Sequence, residues 1–131
     1  YSASASMLVA GQRLGGQLRL FLVYEEGNFI EATDDTPYLQ IGEHKYGKPI
    51  LDRVVTPETT IEVGRKAVLI SMDSTMRSNL SVGMPLDLLT IRRGEYRVST
   101  RERIEAGDPT FSAMSEAWGN ALRDGFLSLP G

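Results

Sequence analysis

Residues 56–83 read TPETTIEVGRKAVLISMDSTMRSNLSVG, and this stretch decides how the chain is layered. Thr56-Pro57 breaks whatever precedes it. Thr59 followed three residues later by Glu62 has the form of a capping box, a hydroxyl and a carboxylate satisfying the free N–H groups of a first helical turn. From there to about Met76 the residues follow helical spacing. Ile61, Val68, Met72 and Thr75 fall on one face and Val63, Ala67 and Ile70 on another, which predicts a long central helix covered on more than one side. The polar run from Ser78 to Gly83 then ends it.

Working back from this helix, Lys45 to Val55 carries Tyr46, Ile50, Leu51, Val54 and Val55 at helical spacing, with Pro49 in the first turn, where proline is tolerated. Further back lie three short runs rich in strand formers, Met7 to Ala10, Leu18 to Tyr24 and Phe29 to Ala32. The last two are joined by Glu25-Glu26-Gly27-Asn28, residues suited to a tight hairpin turn. Working forward, Met84 to Ile91 reads as a strand, Arg92-Arg93-Gly94-Glu95 as a turn, and Tyr96 to Thr100 as its antiparallel partner. Asp108-Pro109 opens a last helix, with Asp as cap and Pro at the first position, and Phe111, Met114, Ala117, Trp118, Leu122 and Phe126 recur along it. The order predicts an α+β fold in which helices layer on an antiparallel sheet.

At 131 residues, with 41% hydrophobic and 24% charged residues, the chain has the composition of one folded domain. Its net charge of −3 is scattered, with no basic stripe, so nucleic acid is not an expected partner. Apolar runs such as Leu20 to Tyr24 are far shorter than the roughly 20 residues of a membrane helix, so no membrane partner is expected. With no cysteine there are no disulfides or thiolate sites, and a cytoplasmic location is favoured. Tyr1 to Ser6 lacks both an initiator methionine and the pattern of a signal peptide, so further sequence is expected before it.

Few groups suggest chemistry. His44 is the only histidine, and a surface position near a helix start is a simpler reading than a Ser-His-Asp triad built around it. One histidine and no cysteine leave no metal site to expect, and no cofactor is called for. Gly11-Gln12-Arg13-Leu14-Gly15-Gly16 lacks the Lys-Ser or Lys-Thr and the following helix of a phosphate loop, and reads as a loop between strands. Met72, Met76 and Met84 read as core filling and Trp118 as a core anchor. The unusual stretch is Ser71 to Gly83, where hydroxyls, an acid, a base and an amide crowd the end of a buried helix. Such residues compete for backbone hydrogen bonds inside helices. Two readings stand: they cap the helix end, or they converge on a ligand.

Tyr38 to Asp52 (YLQIGEHKYGKPILD) together with Asp73 to Gly83 (DSTMRSNLSVG) resembles the Anbu family of proteasome-type proteins, and the likeness runs from about Met7 through Trp118-Gly119. The resemblance implies the αββα sandwich of N-terminal-nucleophile hydrolases, with residues 1–131 as the C-terminal part of one such domain. In that superfamily an N-terminal threonine attacks the peptide carbonyl and its α-amino group serves as base. That threonine, an acid and a lysine belong to the first half, and Tyr1 cannot be the threonine, so no catalytic residue is expected in this chain. The supporting groups it implies are Gly42 and Glu43, where proteasomal subunits have Gly-Ser, and Ser81, with Ser78 where an acid is usual and Asp73 as the nearest acid. Their role would be to orient the threonine by hydrogen bonds. The partners implied are copies of the protein itself, in an open ring or spiral, and a peptide substrate of the parent. The alternative is a non-catalytic domain that associates with itself.

Overall fold

A computed structural model of the chain describes residues 4–131; Tyr1, and with it Ser2 and Ala3 of the small-residue lead, lies outside the described residues. Strands β1 (Met7–Gln12), β2 (Leu18–Val23) and β3 (Phe29–Glu31) form an antiparallel meander. Its register pairs Leu8 with Leu22 and Leu22 with Ile30 on one face, and Val9 with Phe21 and Phe21 with Glu31 on the other. Gly15 and Gly27 take the two turns at φ 76° and 91°, where a side chain would be strained.

Helices α1 (Lys48–Val54) and α2 (Ile61–Ser78) follow, then β4 (Leu86–Thr90) and β5 (Thr100–Ile104), which pair antiparallel as a separate two-stranded sheet, and last α3 (Pro109–Leu127). The core gathers where α2, this sheet and α3 meet. Leu69, Leu86, Ile104 and Phe111 are buried together, with Met72, Met76, Met84 and Met114 packed around them, as expected of methionines that fill irregular gaps. Each such buried side chain contributes about 1.5–3 kcal/mol of hydrophobic stabilisation. The class is α+β. The three-stranded sheet touches the rest through two hydrogen bonds to the loop after β4: Gly94 N–H donates to Gln12 Oε1 at 2.8 Å, and Gly15 N–H to Tyr96 Oη at 3.4 Å.

Four expectations are corrected. The cap of α2 is Thr60, whose hydroxyl accepts from Val63 N–H at 3.2 Å, while Thr59 Oγ1 accepts from Thr56 N–H at 2.8 Å and so closes the preceding turn. The partner of β4 is Thr100–Ile104, because Tyr96 sits at φ 55°, a turn conformation that breaks any strand there. The helix expected over Lys45–Val55 is confined to Lys48–Val54, with Gly47 as an N-cap that supplies no side-chain bond. Trp118 is half-buried in a groove between α1 and α3; among the described α3 residues Phe111 alone is buried.

Candidate functional site

The segment leading to Gly42 is held against α1 by three side chains. Tyr38 donates its hydroxyl proton to Asp52, and Lys48 Nζ donates to Tyr38 Oη at 3.2 Å and to both Asp52 oxygens at 3.1 Å. Burial, then the bond to Asp52, raises the Tyr38 phenol above its ordinary value; the bonds from Tyr38 and Lys48 lower the Asp52 carboxyl. With Tyr38 anchored, the chain turns at Gly42, whose φ of 76° favours glycine.

That turn delivers Glu43 to the end of α2. Glu43 Oε1 accepts from Lys45 N–H at 3.0 Å, and Oε2 accepts from Asn79 Nδ2 at 3.2 Å. Asn79 is the C-cap of α2, its backbone N–H reaching Thr75 O at 2.8 Å. Asn79 Oδ1 accepts from the Ser81 N–H at 2.9 Å and from the Ser81 hydroxyl at 2.6 Å. Glu43 and Ser81, 38 positions apart in sequence, are thereby linked through one amide.

Asp73 and Ser78 stand apart from this cluster. Asp73 is buried between α2 and α3, where Ser115 Oγ donates to its Oδ1 at 2.7 Å and Arg77 Nε to its Oδ2 at 3.4 Å. It borders a groove of about 500 Å³ that Met84, Phe111 and Arg123 also line. Ser78 closes α2 in an exposed position, and among the described residues its hydroxyl makes no side-chain hydrogen bond. His44 is exposed, with its backbone carbonyl accepting from Lys48 N–H at 3.0 Å. Residues 11–16 lie at the β1–β2 hairpin. Among the described residues no three His, Asp or Glu side chains gather as a metal site, and no helix is long and apolar enough to cross a membrane.

Asn79 carries the cluster, and sequence reading passed over it as one polar residue in a crowded run. A signal was available in the residue type, since an Asn side chain readily accepts from the backbone N–H two residues on, here that of Ser81. Its partner Glu43 lies 36 residues away, beyond any local pattern.

The chain superposes on Anbu from Hyphomicrobium sp. strain MC1 with a TM-score of 0.93 at 50% identity over 99% of its length. The chain belongs to the Anbu family. It also aligns with Anbu, described as an ancestral beta-subunit, from Yersinia bercovieri (TM-score 0.90, 49% identity, 96% of the chain). The Anbu subunit of a helical assembly from Pseudomonas aeruginosa gives a TM-score of 0.92 at 48% identity over 100% of the chain. The chain spans about half the length of these relatives: 56%, 54% and 54%, respectively. No family model and no curated protein matches the sequence.

Proposed function

We propose that this chain is the C-terminal part of a proteasome-type N-terminal-nucleophile hydrolase that cleaves peptide or amide bonds. The nucleophilic threonine and its acid and lysine partners come from the other part of the parent, and the fold described here is one portion of its αββα sandwich. The observation that carries this reading is the likeness to Anbu proteins, at about half identity, over nearly all of the chain and only about half of theirs. Within the chain, Gly42, Glu43 and Ser81 form the supporting edge of the site, with Asn79 between them. Asp73 and Ser78 take lesser parts: Asp73 locks α3 to α2, and Ser78 closes the helix. The parent is cytoplasmic and works as a homo-oligomer.

The test is the full-length parent with its N-terminal threonine replaced by alanine. Hydrolysis of a peptide substrate should vanish with that change and fall when Ser81 is replaced. Hydrolysis that survives the threonine replacement would remove the reading.

A second reading is a non-catalytic self-associating domain; the exposed apolar surface of β1 and β3, with Met7 at 55% and Phe29 at 63% exposure, suits it as it also suits one portion of a sandwich. The absence of a threonine directly after the initiator methionine of the parent gene would decide for it.

A further inference from the structure

The side-chain amide of Asn79 has a donor end and an acceptor end, and its neighbours fix which way round it lies. On one side Glu43 Oε2, 3.2 Å from Nδ2, is a carboxylate oxygen that accepts when ionised. On the other side the Ser81 backbone N–H, 2.9 Å from Oδ1, can only donate. The reversed amide would set oxygen against carboxylate and NH2 against N–H, so it is excluded at both ends. Ser81 Oγ lies 2.6 Å from that same Oδ1, which has no proton to give, so the hydroxyl proton belongs to Asn79. The lone pairs of Ser81 are left facing outward, and Ser81 is exposed.

The geometry assigns Asn79 as a positioning residue that uses the Glu43 carboxylate to fix the polarity of the Ser81 hydroxyl, making Ser81 an acceptor for a donor such as a protonated amine. This rests on the reading of the chain as the supporting half of an N-terminal-nucleophile hydrolase, in which the threonine supplies that donor. It also gives the Gly42-Glu43 sequence a purpose where proteasomal subunits have Gly-Ser. The carboxylate acts through Asn79, instead of a hydroxyl acting directly. An Asx turn alone, the simpler role for an Asn at a helix end, has no use for a glutamate brought from 36 residues away.

The experiment compares Asn79→Ala, Asn79→Asp and the pair Asn79→Asp with Glu43→Gln in the full-length parent. Asn79→Ala should lower kcat by roughly 10- to 100-fold with KM little changed, the scale seen when groups that orient the ligands of a metal are removed. Asn79→Asp still accepts from Ser81 but faces Glu43 with a second carboxylate. Two such groups share a proton as pH falls, so its activity should recover on acidification while that of Asn79→Ala should not. In the paired variant the glutamine donates to the aspartate, the bond is rebuilt in reverse, and activity should return at neutral pH. Asp forms Asx turns as well as Asn does, so an Asn79→Asp variant as active as wild type overturns the assignment, as does a paired variant no better than Asn79→Asp.

A separate readout needs no activity. In the full-length parent the Asn79 side-chain amide protons should exchange more slowly than in a Glu43→Ala variant, by NMR. Equal exchange would remove the link whether or not the parent hydrolyses anything, and hydrolysis independent of the threonine would remove the functional reading while leaving the link measurable.

Discussion

Gly47 and Ser71 approach so closely that a Cβ on Gly47 would overlap the Ser71 hydroxyl and stand 3.1 Å from both Ser71 O and Thr75 Oγ1. Gly47 is buried where α1 meets α2, and its partners are held there, since Thr75 Oγ1 donates to Ser71 O at 2.9 Å. The Ser71 hydroxyl would have to turn away, and the two contacts at 3.1 Å would remain. Gly47→Ala should therefore destabilise the fold by about 1–3 kcal/mol, the usual cost of overpacking. Gly119, in the middle of α3, has nothing within 4 Å of the same position. Gly119→Ala should stabilise by about 0.5–1 kcal/mol through helix propensity. Urea denaturation of the two variants should move the midpoint in opposite directions.

Ser115 donates to a buried carboxylate, and Arg77 donates to the same carboxylate from solvent. The Arg77 side chain is 68% exposed against 11% for Asp73, so water can replace Arg77 but cannot easily replace Ser115. Ser115→Ala should cost about 1–3 kcal/mol, the penalty of leaving a buried acceptor short of a partner, and Arg77→Ala no more than about 1 kcal/mol. Thermal melts check this order. A larger effect from Arg77 would mean that the charge, not the hydroxyl, holds α3 in place.

Where local chemistry decides an element, the sequence reading placed it well, as at Asp108, whose carboxylate accepts from Phe111 N–H at 2.8 Å and starts α3. It went wrong where partners are distant. Thr100–Ile104 reads TRERI, with one apolar residue, and nothing in its own pattern marks a strand. Its stability comes from other segments: Arg103 pairs with Asp87 of β4 at 2.8 Å, Thr100 with Thr90 of β4, and Glu102 with Arg65 of α2. Adjacent Thr59 and Thr60 offered two caps for one helix, and the turn at Thr56 took the first. The Glu43–Asn79–Ser81 link was hidden for the same reason as β5, because half of it lies in another segment.

Arg65 grips Glu102 with two bonds, Nε at 3.0 Å and the terminal nitrogen at 2.5 Å, tying α2 to β5. The bond from Arg65 lowers the Glu102 carboxyl below its ordinary value of 4.5. A group with a lowered folded value contributes stability above its unfolded value and loses it as pH falls through the folded one. The wild type should therefore weaken on acidification below about pH 4.5, and Glu102→Gln should show a shallower acid limb while being less stable at neutral pH. Both partners are about one-third exposed, so the difference at neutral pH should stay within the about 1 kcal/mol typical of surface pairs. Denaturation at pH 3 to 7 checks it; parallel curves for the two proteins would show that Glu102 titrates unperturbed.

The chain should associate with copies of itself through the face of the meander that carries Met7, Val9, Phe21 and Phe29. The antiparallel register puts these residues on one side, with Phe21 and Phe29 in edge-to-face contact at 5.8 Å. Met7, Val9 and Phe29 are 55%, 46% and 63% exposed, although β1 is an edge strand with one free row of backbone groups. Apolar patches beyond a few hundred Å² are rare on stable monomers, and an open strand edge templates pairing with another chain. The opposite face supplies no relief, because Leu8 and Ile30 there are 40% and 43% exposed. An isologous dimer is the simplest closed arrangement. Val9→Lys with Phe29→Lys should return the chain to a monomer at little cost in melting temperature, since neither side chain belongs to the core around Leu69 and Phe111. Size-exclusion chromatography with light scattering reads both proteins, and a wild-type monomer of 14.4 kDa that binds no hydrophobic dye would show that this face needs no partner.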